Sequence, residues 1–230
     1  MDDASTDGTR EWARAQRWPA LRYFRLRKNR GTPGARNQAV ARARGEFLAF
    51  LDHDDLWYSR FLETLVARLR RPGIVMAASN ADIIDGRGRL LLKKAGGSSG
   101  KIDRVLKSIS GLTHTPFTSA CVFRSRAVRE VGRFDEGFKT MDDLDFFYRL
   151  AYRYGPGAIV FVDRALAAYR RHPGQQTSVY REIRESAKLL RALLREGSPT
   201  ATERACLLDA AYFYAKHAPR LRRLGVLGKG

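Results

Sequence analysis

Long apolar runs are missing from this chain of 230 residues. No stretch approaches the roughly 20 consecutive apolar residues that a membrane-spanning helix requires, so no span is expected. Cysteine is scarce: Cys121 and Cys206 are the only two, and no CxxC pair occurs. That excludes a disulfide framework and makes a reduced, intracellular setting the default expectation. The opening MDDASTDGTREW is acidic and polar, unlike a secretory signal or a transit peptide. Acid is in short supply beside base. There are 24 Asp+Glu against 43 Lys+Arg, giving a formal net charge of +19 and a pI near 10.6.

Such a charge points toward nucleic acid, a phosphate-bearing ligand or an anionic membrane surface. The basic residues are spread along the chain, with one local concentration at 86–107. There Arg87, Arg89, Lys93, Lys94, Lys101, Arg104 and Lys107 stand against Asp103 alone. No RNP-type aromatic pattern, zinc-finger spacing or helix-turn-helix signature accompanies them, so no nucleic-acid partner is expected. An anionic substrate and a peripheral membrane surface remain. With 44% hydrophobic residues the chain is globular, and its length allows one large domain or two small ones.

Hydrophobic spacing predicts an α/β fold. LRYFRL (21–26) alternates apolar and basic residues, as a strand does. NRGTPGARN is a glycine-rich loop, and Pro33 is placed to open a helix over 34–44. FLAFL (47–51) is a continuous apolar run followed by acids, the pattern of a buried parallel strand ending at a functional edge. A helix over 58–71 closes at Pro72-Gly73. Further strands are expected at 74–79, 118–123 and 158–162, with a hairpin around Asp85-Gly86 and a loop at 95–100. Helices are expected at 125–131, 141–154, about 176–196 and 200–217. Strands alternating with helices place ligands at the carboxyl ends of the strands. Cys121, in an apolar strand, reads as core.

Three acidic clusters carry the chemistry. Asp2-Asp3-Ala4-Ser5-Thr6-Asp7-Gly8-Thr9 has the composition of a helix-capping loop, and a carboxylate there can also accept a hydrogen bond from a base N–H. Asp52-His53-Asp54-Asp55 follows directly on an apolar run, where clustered carboxylates are costly unless a cation or many donors compensate. Mg²⁺ and Mn²⁺ prefer oxygen ligands shared with substrate phosphates. A polar loop capping the next helix is the competing reading, with Asp55 suited to the cap. Asp142-Asp143-Leu144-Asp145 crowds the first turn of a helix, where the macrodipole favours acid. Asp143, Phe147 and Leu150 share a face at i, i+4, i+7, so Asp143 is a candidate general base. Asp142 and Asp145 read as caps or partners of Arg149.

Six motifs in order resemble the inverting family 2 glycosyltransferases of the GT-A fold. The DDGSTDGT-like nucleotide loop stands here as residues 2–9, with Ala4 at its glycine. NxGxxxARN stands as Asn29 to Asn37, and ARGEYIAFLDxDD as Ala43 to Asp55. GxFDE stands as Gly132 to Glu136, the ED pair as Asp142-Asp143, and YRxH as Tyr169 to His172. The resemblance implies a GT-A fold, a Rossmann-like mixed sheet flanked by helices over 1–178, followed by a C-terminal helical extension over 179–230. It also places a strand–helix–strand before the nucleotide loop, so the expectation is a domain lacking those N-terminal elements.

The functional roles follow from the same resemblance. Asp3 is expected at the nucleotide base, Asp52 near the ribose or sugar, and Asp54 on a Mn²⁺ or Mg²⁺ ion. Asp143 is the expected base. Arg36 meets the diphosphate or braces the acidic loop, Asp142 belongs to the same nucleotide-sugar site, and His172 reaches the metal or diphosphate unless it is a surface residue. The donor is expected to be a nucleotide-diphospho-sugar, with UDP favoured. The acceptor is expected to be a polysaccharide, glycan or lipid-linked acceptor, and the basic segment 86–107 leads to an expected cytoplasmic setting with peripheral contact at the cytoplasmic face of the membrane. A truncated, non-catalytic remnant that binds nucleotide or partners without transfer is the alternative.

Overall fold

The computed structural model describes residues 1–95, 116–138 and 142–172. The loop expected at 95–100 beyond its first residue, the helices expected beyond 175 and the extension from 179 lie outside the described residues. In chain order the elements are α1 (Thr9–Ala15), α2 (Gly31–Arg42), β1 (Phe47–Ala49), β2 (Leu56–Trp57) and α3 (Phe61–Leu69). Then come β3 (Met76–Ile84), β4 (Leu90–Ala95), β5 (Cys121–Arg124), α4 (Ser125–Val131), α5 (Asp142–Tyr154) and β6 (Ile159–Arg170). A short 3₁₀ turn, Thr118–Ala120, leads into β5.

The strands form one mixed sheet in the order β1-β5-β3-β6-β2, with β4 also paired to β3. Only β3 and β6 run parallel among the described pairs; the others are antiparallel. This corrects one expectation. The apolar run after Gly45 shortens to three paired residues, and its ladder partner is antiparallel β5. A second correction concerns 21–26. The alternation there yields one isolated parallel bridge, Asp2 to Arg25, rather than a strand. Alternation marks a half-buried surface, but a ladder needs a second run to pair with.

Apolar side chains on the two sheet faces form two cores. On one face Phe146, Phe147 and Leu150 of α5 pack with Val128 of α4 against Met76, Ala78, Cys121 and Phe123. Phe123 contacts both Phe146 and Phe147 ring to ring. On the other face Phe61, Leu65 and Leu69 of α3, spaced i, i+4, i+8, cover Ala77, Ala81 and Val122. All three are almost fully buried, each worth about 1.5–3 kcal/mol relative to exposure. Cys121 is core as expected, and burial pushes its thiol well up. The β3–β4 turn closes at Asp85, whose N–H donates to Arg89 O at 2.9 Å. Among the described residues no helix is long and apolar enough to cross a membrane.

Candidate functional site

Arg36 organises the site. It sits on the second turn of α2, which begins at Gly31 in a left-handed conformation (φ +75°). Its guanidinium is buried, 8% exposed, between the rings of Phe50 and Phe134 at 5.9 and 5.7 Å. One end donates to Asp142 Oδ2 at 2.8 Å, and Nη2 reaches both oxygens of Asp52 at 3.2 and 3.3 Å. Two acidic clusters some ninety residues apart in the chain thus share one cation. Burial works against the guanidinium's charge, but Asp142, Asp52 and Asp143 hold it protonated.

Asp142 was expected to cap its own helix or meet Arg149. It turns inward to Arg36 instead, and its neighbour Asp145 takes Arg149 at 2.7 Å. Burial pushes the Asp142 carboxyl up to about 6, opposed by Arg36 and reinforced by Asp143. Phe147 and Leu150 are fully buried below Asp143 on the shared face. Asp143 Oδ2 accepts a hydrogen bond from Thr118 Oγ1 at 2.8 Å.

The loop after β1 is fastened at three points. The Asp52 N–H donates to Ser119 Oγ at 3.1 Å, while the Asp52 carboxylate remains 42% exposed. Asp54 Oδ2 lies 2.9 Å from His172 Nε2, which brings the acidic loop and the end of β6 together. Asp55 does not cap α3. It is buried, accepts the Arg170 N–H at 3.0 Å and is hydrogen-bonded by Ser119. Burial raises its carboxyl to about 6 against the pull of those bonds. Arg170 adds a bond from Nε to Asp54 O at 2.8 Å and another from Nη1 to Asp85 O at 3.2 Å.

The first cluster divides its labour unexpectedly. Asp2, not Asp3, is the buried member: it accepts from the Ser5 N–H, the Tyr23 hydroxyl and Arg25. Burial opposes ionisation there, yet the Tyr23 and Ser5 bonds hold the carboxyl below the usual range. Asp3 is half-buried and accepts the Arg30 N–H at 2.8 Å, on the opening of α2. Ala4 between them and Ser5 takes a positive φ of 64°. Asn37 exchanges bonds with Phe134, Nδ2 to the carbonyl at 2.9 Å and the N–H to Oδ1 at 2.8 Å. Arg30 pairs with Glu136 at 2.7 Å. The close packing needs Gly34, where an added Cβ would lie 2.5 Å from Arg30 Cβ.

Arg36, Asp52, Asp142 and, through Thr118 and Ser119, Asp143 therefore form one connected site. Asp54 of the acidic loop and His172 after β6 form a second pair, and Asp3 is bonded to the start of α2 through the Arg30 N–H. Thr118, Ser119 and Arg170 were missed in the sequence. The hydroxyls sit at the head of an apolar run read as strand, and Arg170 stands in the YRxH element, where the resemblance assigns it no role. The donor set at Asp54 and His172 is a carboxylate and an imidazole. No group of three or more His, Cys, Asp or Glu side chains suited to a metal occurs among the described residues. A pair of this kind fits a hard cation that completes its shell with phosphate oxygens and water.

Comparison with known proteins gives a consistent picture. The family model described as "Glycosyl transferase family 2" matches residues 1–132. The succinoglycan biosynthesis protein ExoO of Rhizobium meliloti (strain 1021) is 36% identical over 91 residues, covering 40% of this chain and 26% of its own. The crystal structure of S. aureus TarS 1-349 in complex with UDP-GlcNAc is similar with a TM-score of 0.67 at 20% identity. That likeness covers 95% of this chain and 62% of TarS 1-349. The mannosyltransferase PcManGT from Pyrobaculum calidifontis, in complex with GDP-Man and Mn²⁺, gives 0.63 at 19% identity, covering 95% and 64%. The chain spans about a quarter of the length of the curated relative ExoO. The fold expected from the six motifs, GT-A, is the fold found.

Proposed function

The chain belongs to glycosyl transferase family 2, and on that premise we propose that it transfers a sugar from a nucleotide-diphospho-sugar, a UDP-sugar by preference, with inversion. The acceptor we propose is a polysaccharide, glycan or lipid-linked glycan. The observation that carries the reading is Arg36, which draws Asp52 of the acidic loop and Asp142 of the base helix onto one guanidinium. That shared cation supports a reading in which the donor-binding loop and the base serve one reaction centre.

In the proposed reaction the acceptor hydroxyl oxygen bonds to the anomeric carbon. The carbon–oxygen bond to the diphosphate breaks, and the nucleoside diphosphate leaves with the electron pair. Asp143 takes the hydroxyl proton on the face opposite the leaving group. Asp3 orients the base of the nucleotide, and Asp52 the ribose or sugar. Arg36 holds the acidic loop and base helix in register, with Asp142 as its anchor. Asp54 and His172 would hold Mn²⁺ or Mg²⁺. Bound there, the cation would supply Lewis-acid stabilisation of the charge on the departing diphosphate. The complex of PcManGT with GDP-Man and Mn²⁺ supports this choice. The TarS complex with UDP-GlcNAc supports UDP, and the name of ExoO supports a polysaccharide product. The exposed Arg87 and Lys93 on the β3–β4 hairpin support contact with an anionic membrane surface at the cytoplasmic face.

Thermal melting tests the reading. UDP with Mn²⁺ should raise the Tm, and Asp54→Ala should abolish the rise. The absence of a shift with UDP, GDP or any other nucleoside diphosphate would count against it.

A further inference from the structure

The 3₁₀ turn Thr118–Ala120 lies between the acidic loop and the base helix, and both of its hydroxyls are spent on them. Thr118 and Ser119 are 3% and 2% exposed. Buried hydroxyls have no water to turn to, so their partners fix their direction. Thr118 Oγ1 donates to Asp143 Oδ2 at 2.8 Å. Ser119 Oγ accepts the Asp52 N–H at 3.1 Å and donates to the Asp55 carboxylate. The Ser119 carbonyl accepts from Trp57 Nε1 at 2.6 Å, which ties the same turn to β2. Two adjacent residues therefore set the distance between the loop assigned to the donor and the carboxylate assigned to the acceptor.

We propose that Thr118 is a positioning residue for Asp143, and that the Thr118–Ser119 turn acts as a spacer holding base and donor loop at a working separation. This rests on the reading of Asp143 as the base. The Thr118 hydroxyl fixes rotation of the Asp143 carboxylate about its Cβ–Cγ bond. The lone pair that receives the proton then keeps one direction. Ser119 acts on the other side of the reaction, through the backbone of Asp52. The two hydroxyls should accordingly affect different kinetic constants. Misplacement of a reacting group by an ångström costs on the order of 100-fold in rate. Loss of the Thr118 hydroxyl, which loosens Asp143 without removing it, should cost about 10- to 100-fold in kcat.

The test is Mn²⁺-dependent hydrolysis of UDP-N-acetylglucosamine and UDP-glucose, followed by UDP release. Water takes the place of the acceptor: its oxygen bonds to the anomeric carbon, UDP leaves, and the proton goes to Asp143. Thr118→Val should lower kcat by that factor with the donor KM within about twofold of wild type. Thr118→Ser, which keeps the hydroxyl, should restore it. Ser119→Ala should instead raise the donor KM. Should Thr118→Val fail to fold, Thr118→Ala is read by the same criterion. Asp143→Asn separates the two readings. If it keeps wild-type kcat, the base assignment fails. If it is inactive while the Thr118 variant keeps wild-type kcat, or if Thr118→Ser falls as far as Thr118→Val, the positioning role is overturned.

Discussion

Replacing Arg36 by Met removes the shared cation while keeping most of the side chain's length. The Asp52 carboxylate, 42% exposed, can turn to water, but Asp142 is 5% exposed and cannot. Breaking a buried pair from one side costs about 3–5 kcal/mol, because the remaining charge is left uncompensated. The cost should depend on pH with a definite sign. Without Arg36, burial and Asp143 hold the folded-state pKa of Asp142 above its unfolded value of 3.8, and farther above it than in the wild type. The variant's folded state then binds the proton more tightly than the wild type's, so this penalty is absent below the wild-type folded value of about 6 and grows as pH rises above it. At pH 5 the wild type carries nearly the same Asp142 cost, so this part of the loss is close to zero, and at pH 7.5 it is capped at about 2 kcal/mol, since each pH unit above 6 adds about 1.36. Urea unfolding followed by circular dichroism, without metal or nucleotide, should show Arg36→Met far less destabilised at pH 5 than at pH 7.5. The double variant Arg36→Met/Asp142→Leu should recover most of the loss at pH 7.5. A destabilisation equal at both pH values, or below about 1 kcal/mol at pH 7.5, would refute the account of a buried and mutually dependent pair.

Two further outcomes follow from local chemistry. Ala4 sits at φ 64° where the family's loop has glycine. The left-handed penalty of about 1–2 kcal/mol outweighs the chain entropy of about 0.4–1 kcal/mol that glycine adds to the unfolded state, so Ala4→Gly should stabilise by about 0.5–1 kcal/mol in urea. Asp55, raised by burial to about 6, destabilises the fold as pH climbs from about 4 and does so fully above about 6. Asp55→Asn keeps an acceptor for the Arg170 N–H and should gain about 1–2 kcal/mol at pH 7.5 in metal-free buffer, with no gain at pH 4. A variant less stable than wild type at both pH values would count against burial as the cause.

What the sequence made legible was the set of acids, and what it hid was their partners. Asp52, Asp54 and Asp143 stand out because carboxylates next to apolar runs demand an explanation. That Asp142 meets Arg36 rather than Arg149 is a fact about packing between α2 and α5, and local spacing favours the wrong arginine. Asp55 looked like a cap because caps are local, whereas its N–H donor comes from Arg170, 115 residues on. The hairpin at Asp85-Gly86 was readable since turn chemistry is short-range. The alternating run at 21–26 was misleading for the opposite reason, because pairing is not. Thr118 and Ser119 gave no signal at all: small hydroxyls beside an apolar strand are common, and only the fold shows what they touch.

The pairing of β5 with β3 has a consequence for inheritance. Phe123 stands opposite Met76, Val122 opposite Ala77 and Cys121 opposite Ala78. Successive residues face opposite cores, so deleting one residue from β5 would send Phe123 toward α3 and Val122 toward α5. The same deletion would drag the adjoining Thr118–Ala120 turn by about 3.3 Å, one strand step, away from both Asp143 and Asp52. Frame-preserving losses in this short strand should therefore be purged twice over, for folding and for reactivity. Insertions at the tip of the β3–β4 hairpin leave this register unchanged and meet the acidic loop only by way of Arg170, whose Nη1 donates to Asp85 O.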